Sequence, residues 1–180
     1  MRRLAPADCR LRYDANNRWR APDDAIAFVR KLGSDITAIE EPLAVADYPG
    51  CLSVAAGLGC RVILDESCRT LHDLDKLPGT AEHWVVNIRV SKMGGLLRSL
   101  EIAQAARARG IPLIIGAHVG ESALLTRAAL TVANAHRDVL IAQEGAFGTW
   151  LLQHDLVDPG LQFGPRGVLA AVDVPLGIGG

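Results

Sequence analysis

Short apolar runs alternate with longer amphipathic stretches along most of the chain. CRLRYDAN predicts a strand that ends in a polar turn. APDDAIAFVRKLG predicts a helix: Pro22 suits the first turn, Asp23 and Asp24 complement the positive end of the helix dipole, and Gly33 supplies a C-terminal cap. Its Ala25, Ile26, Val29 and Leu32 fall on one helical stripe. DITAIEEP predicts a second strand, stopped by Pro42, and RVILDES a third. HWVVNIRVSK predicts the fourth, followed by a helix over GGLLRSLEIAQAARARG that ends at Gly110. IPLIIGAHV is the fifth strand, ESALLTRAALTVANAHR a helix, and DVLIAQEG the sixth strand. The stretches after Pro42 and after Ser67 carry too weak a pattern to predict full helices. From Leu151 to Gly180 glycine and proline are frequent, and this tail is expected to wrap the surface of a single domain spanning 1–180.

Strands that are apolar throughout and alternate with helices imply a parallel sheet covered on both faces. The polar residues that stand where each apolar run stops are Asp14, Glu40, Asp65, Arg89, His118 and Glu144. The gaps are 26, 25, 24, 29 and 26 residues (14 to 40, 40 to 65, 65 to 89, 89 to 118, 118 to 144). A gap near 25 is the length of one strand–helix unit, so each residue is expected at the C-terminal end of its own strand. In a (β/α) TIM-type barrel that is the face on which active sites form. An open doubly wound sheet would spread the same residues along an edge. The sequence also has no G-x-G-x-x-G and no phosphate-binding loop.

The first three of these residues are carboxylates. Gathered without a cation they would repel one another, and a hard divalent ion removes that conflict. Mg²⁺ takes a few carboxylate oxygens and leaves its other octahedral positions to water or substrate. Each acid also has a structural alternative. Asp14 could form an Asx turn in D-A-N-N, Glu40 could be a surface acid, and Asp65 could stand at the entrance to a helix.

Composition narrows the classes further. The 180 residues are 49% apolar and carry a formal net charge of −1, so a core is within reach and no basic tract favours nucleic acid. No apolar run approaches the ~18 residues of a membrane span. MRRLAPADC lacks the apolar segment of a signal peptide. Cys9, Cys51, Cys60 and Cys68 include no C-x-x-C pair, which suggests reduced structural thiols and a cytoplasmic protein.

YDANNRW, IEEPL, ILDES, the K-M-G-G after NIRVS, GAHVGES and EGAFGTWLLQHD resemble, in order, the barrel of the enolase superfamily. The branch they most resemble is that of mandelate racemase and the muconate lactonising enzymes. The likeness runs from about Cys9 to the end of the chain. It implies that Asp14, Glu40 and Asp65 bind Mg²⁺, with Glu41 a neighbour of the second ligand. It further implies removal of a proton next to a substrate carboxylate, with the metal stabilising the enolate. A sugar acid, hydroxy acid or amino-acid derivative is the expected substrate, and racemase or dehydratase the expected chemistry.

Two departures from the family pattern stand out. The capping domain and the strand bearing a K-x-K base motif have no counterpart before Asp14. Six strands are therefore expected where a barrel has eight, and 180 residues where about 250 is usual. Open outer strands favour association into a homo-oligomer or completion by an N-terminal portion. The second departure is Arg89, which stands where the resemblance places a lysine base. A guanidinium does not give up its proton, so Arg89 is expected to neutralise a substrate carboxylate or enolate oxygen. Lys92 matches the lysine beside the double glycine. His118 matches the histidine base of the racemase type, although its usual acidic partner would fall at Arg89. Glu144 matches an acid that orients substrate or donates a proton, and Glu121 favours the N-terminus of the following helix. The competing expectation is a truncated, inactive barrel that binds Mg²⁺ or associates with another chain.

Overall fold

A computed structural model of the chain describes residues 9–33, 35–145, 148–157, 161 and 168–169. Its elements are β1 (Arg12–Asp14), α1 (Pro22–Lys31), β2 (Ala38–Glu40), α2 (Tyr48–Leu58), β3 (Arg61–Leu64), α3 (Leu71–Asp75), β4 (Trp84–Ile88), α4 (Leu96–Ala108), β5 (Leu113–Ile115), α5 (Ala123–Ala135), β6 (Leu140–Gln143) and α6 (Gly148–Leu151). A 3-10 turn at Ala81–His83 precedes β4.

The strand order is β1-β2-β3-β4-β5-β6, and the pairings β1/β2, β2/β3, β3/β4 and β5/β6 are parallel. A doubly wound sheet reverses its order part-way, whereas here the order follows the chain. The fold is thus α/β of the TIM-barrel type, with six strand–helix units. The outermost strands β1 and β6 alternate exposed and half-buried residues, unlike β4, which is buried throughout.

The chain divides into two compact units, Met1–Asn87 with Ala105–Pro112 and Ile88–Gln104 with Leu113–Gly180. The core of the first unit joins Ile39, Val62, Ile63, Leu64, Val85 and Val86 of the strands to Ala25 and Val29 of α1 and Val54 and Ala55 of α2. Leu32 departs from the predicted stripe and is exposed, because α1 ends at Lys31 and the chain turns away through Gly33. The stretch after Pro42, whose pattern left a full helix in doubt, does form one. Asp47 caps α2 by accepting the Gly50 N–H at 3.0 Å, and Gly59, at φ +63°, closes it. Its glycines serve packing: a Cβ on Gly57 would stand 2.5 Å from Ile26 Cδ1. The stretch after Ser67 is short, as expected, giving the five residues of α3.

In the second unit Leu113, Ile114 and Ile115 are fully buried, together with Ile102 of α4 and Val132 and Ala133 of α5. Most of the expected tail lies outside the described residues. Within it, Asp155 caps α5, both carboxylate oxygens accepting the Ala123 N–H at 2.9 and 3.1 Å.

All four cysteines are free thiols; Cys51, Cys60 and Cys68 are buried and Cys9 is exposed. Burial pushes the Cys51 thiol up to about 12 and the Cys60 thiol up to about 11, so neither offers a thiolate near neutrality. A thiol-reactive chromophore added to the native chain should therefore label Cys9 rapidly. The other three should react only after denaturation, and rapid labelling of all four would contradict this core.

Candidate active site

Three strand ends of the first unit present acidic side chains. Asp14 is the last residue of β1 and Glu40 the last of β2, and the two are register partners. Glu40 also pairs with Ile63, and Asp65 follows one residue past the end of β3. Asp14 is exposed, and its Oδ1 accepts the Asn16 N–H at 2.9 Å, the Asx turn that D-A-N-N allowed. Glu40 Oε1 accepts a hydrogen bond from Asn87 Nδ2 at 2.8 Å. Asp65 is 2% exposed.

All three acids offer the hard oxygen donors that Mg²⁺ prefers, from neighbouring strands. Among the described residues, however, no three His, Cys, Asp or Glu side chains stand close enough to hold a metal ion. Donor type and strand position thus fit a hard divalent cation, while the carboxylates are not gathered into one cluster.

Beside them lies a carboxylate whose role the sequence did not reveal. Glu41 is fully buried. Its Oε1 accepts the backbone N–H groups of Asp65 at 2.7 Å and Ser67 at 2.8 Å. Its Oε2 accepts the Ser67 hydroxyl at 2.7 Å and Asn17 Nδ2 at 3.3 Å. Burial raises the Glu41 pKa, and the hydrogen bonds from Ser67 and the Asp65 amide pull against that rise. The backbone adds two ties, Glu41 N–H to the Ile63 carbonyl and Asn17 N–H to the Glu41 carbonyl. One residue thereby links the ends of β1, β2 and β3. Asn87, buried in the apolar run WVVNI, was likewise missed, although a polar residue in such a run was its signal.

The second unit carries the remaining candidates. Arg89 lies one residue beyond β4 and Glu144 one beyond β6, both half-buried. Lys92 stands in the turn that Gly94 and Gly95 complete at φ +85° and +112°, values that favour glycine. His118, three residues beyond β5, stands in a polar cluster. Its Nδ1 is 2.8 Å from Ser91 Oγ and 3.4 Å from Glu121 Oε1. Glu121 is therefore the acid that stands beside His118. Its side chain turns to His118 and Ser91, and Asp155 caps the helix in its place.

The model of the enolase C-terminal domain-like family matches residues 1–179. The chain belongs to that family. It is 33% identical over 161 residues to the L-Ala-D/L-Glu epimerase of Escherichia coli, covering 89% of this chain and 47% of that protein. To the hydrophobic dipeptide epimerase of Enterococcus faecalis it is 31% identical over 143 residues, covering 78% of this chain and 40% of the relative. The crystal structure of the E. faecalis dipeptide epimerase complexed with Mg and L-Leu-L-Tyr superposes with a TM-score of 0.74 at 27% identity, over 89% of this chain and 45% of that one. The chain spans less than half the length of these relatives.

In this enolase-type chain, Glu41→Ala strands three buried donors, the Asp65 and Ser67 amides and the Ser67 hydroxyl. At about 1–3 kcal/mol per unsatisfied group, the expected loss is at least about 3 kcal/mol by urea denaturation. Glu41→Gln keeps an oxygen for the two amides and should cost less than half of that. Equal losses for the two variants would contradict the assigned network.

Proposed function

We propose that this chain is the barrel portion of an Mg²⁺-dependent racemase or epimerase that removes a proton α to the carboxylate of an amino-acid derivative, a dipeptide being the leading class. The observation that carries the reading is the succession of Asp14, Glu40 and Asp65 on adjacent strand ends, with Glu40 held by Asn87. Its relatives act as epimerases on dipeptides, and one was crystallised with Mg and a dipeptide.

Asp14, Glu40 and Asp65 would hold the ion. When bound, Mg²⁺ supplies Lewis-acid stabilisation of negative charge on the substrate carboxylate. His118 takes the α-proton, since imidazole is the side chain best matched to proton transfer near neutrality. Arg89 keeps its proton and pairs with a carboxylate or enolate oxygen. Lys92 adds positive charge beside it, and Glu144 orients the substrate or returns a proton. The presence of Arg89 where the family resemblance places a basic lysine favours a second reading, a chain that binds Mg²⁺ without turnover.

The test is α-proton exchange. Incubated with Mg²⁺ and L-alanyl-L-glutamate in D₂O, the chain should replace the α-proton with deuterium, followed as loss of the ¹H NMR signal. His118→Ala should slow that exchange about 100-fold or more. Asp65→Asn should weaken Mg²⁺ binding in calorimetry. Absence of exchange across a dipeptide panel, or exchange indifferent to His118→Ala, would contradict the proposal.

A further inference from the structure

A serine, a histidine and an acid in contact invite comparison with a nucleophilic triad, and the geometry excludes one. In such a triad the hydroxyl and the carboxylate occupy opposite nitrogens of the ring. Here Ser91 Oγ and Glu121 Oε1 both lie against Nδ1 of His118, at 2.8 and 3.4 Å. Ser91 is therefore not aligned for activation through this ring, and the other nitrogen, Nε2, is the one left for chemistry.

The hydrogen inventory then points to one tautomer. The Glu121 side chain is 6% exposed, and a carboxylate accepts hydrogen bonds without donating any. Ser91 has one hydroxyl proton and gives it to Glu121 Oε1 at 3.3 Å. Only oxygen lone pairs of Ser91 then face Nδ1. For the 2.8 Å contact to be a hydrogen bond, Nδ1 must carry the hydrogen and donate it. The ring lone pair falls on Nε2.

We propose that Ser91 and Glu121 are positioning residues that hold His118 as its Nδ1–H tautomer, so that Nε2 is the proton-accepting atom. The use of that atom on an α-proton rests on the function proposed above; the tautomer itself does not. In the step, the proton passes from the α-carbon to Nε2, the electron pair stays on the substrate as the enolate, and Nδ1–H is retained. The imidazolium so formed faces the buried Glu121 carboxylate 3.4 Å away, which stabilises its charge. The hydroxyl relays the orientation set by the acid to the ring, as carbonyl or carboxylate partners do for metal-bound histidines.

The test is long-range ¹H–¹⁵N correlation of the imidazoles in the histidine-labelled full chain at alkaline pH, with His118 assigned by His118→Gln. Wild type should show Nδ1 protonated and Nε2 bare, the reverse of the tautomer an unconstrained imidazole favours in water. Removing both acceptors that face Nδ1, in the Ser91→Ala/Glu121→Ala double variant, should return His118 to the Nε2–H form. If that variant fails to fold, Ser91→Ala at its exposed position should still shift the His118 imidazole nitrogen resonances. A predominant Nε2–H form in wild type, or no change in the variants, would overturn the proposal. The measurement uses neither substrate nor metal. Absent turnover with the Nδ1–H tautomer in place would count against the proposed function alone.

Discussion

A single buried carboxylate, Glu41, ties together the segments from which the candidate metal ligands project. It accepts from the amides of Asp65 and Ser67, from the Ser67 hydroxyl and from Asn17, so residues near three strand ends share one acceptor. Burying a carboxylate without partners is costly, and four donors make this one tolerable. The gain is positional. Asp65 is fixed through its own N–H, Glu40 by being the preceding residue, and the loop after Asp14 through Asn17.

The same loops hold backbone in the left-handed region. Glu41 itself lies at φ +36°, and Asn16 and Asn17 at +47° and +57°. Asparagine enters that region readily, whereas glutamate pays of order 1–2 kcal/mol, and the residue before a proline is restricted further. Glu41 precedes Pro42. Strain of this kind persists where surrounding bonds over-determine it, and here the side-chain network and both Glu41 backbone groups do so. The Glu41 side chain is buried, while Glu40, one residue earlier, reaches Asn87.

Much of this was legible in the sequence because parallel strands buried on both faces read as unbroken apolar runs. The polar residue that stops each run then marks the strand end, and Asp14, Glu40, Asp65, Arg89 and Glu144 all fall at or one residue past theirs. Helix α2 was harder to read. YPGCLSVAAGL is apolar or small nearly throughout, so it has no polar face to set a period, and its glycines lower its intrinsic propensity. Packing against α1 overrides that weakness. The hydrogen-bond networks were not legible at all. Glu41 and its partners are separated by 24 to 26 residues, and nothing in E-E-P tells which glutamate turns inward. Glu121 was read as a helix-start acid because sequence spacing does not reveal that Asp155, 32 residues from Ala123, takes that task.

Glu41 holds its neighbours in a bonded, closed arrangement, and native-state hydrogen exchange of two amides tests that most directly. The N–H groups of Asp65 and Ser67 lie in a loop after β3, where exposed backbone exchanges quickly. Bonded to a buried carboxylate, they should exchange only through openings close in free energy to global unfolding, at rates matching those of the β3 core amides. Exchange at rates typical of an open surface loop would mean that the network does not hold these strand ends, and the positional argument for the site would fail with it.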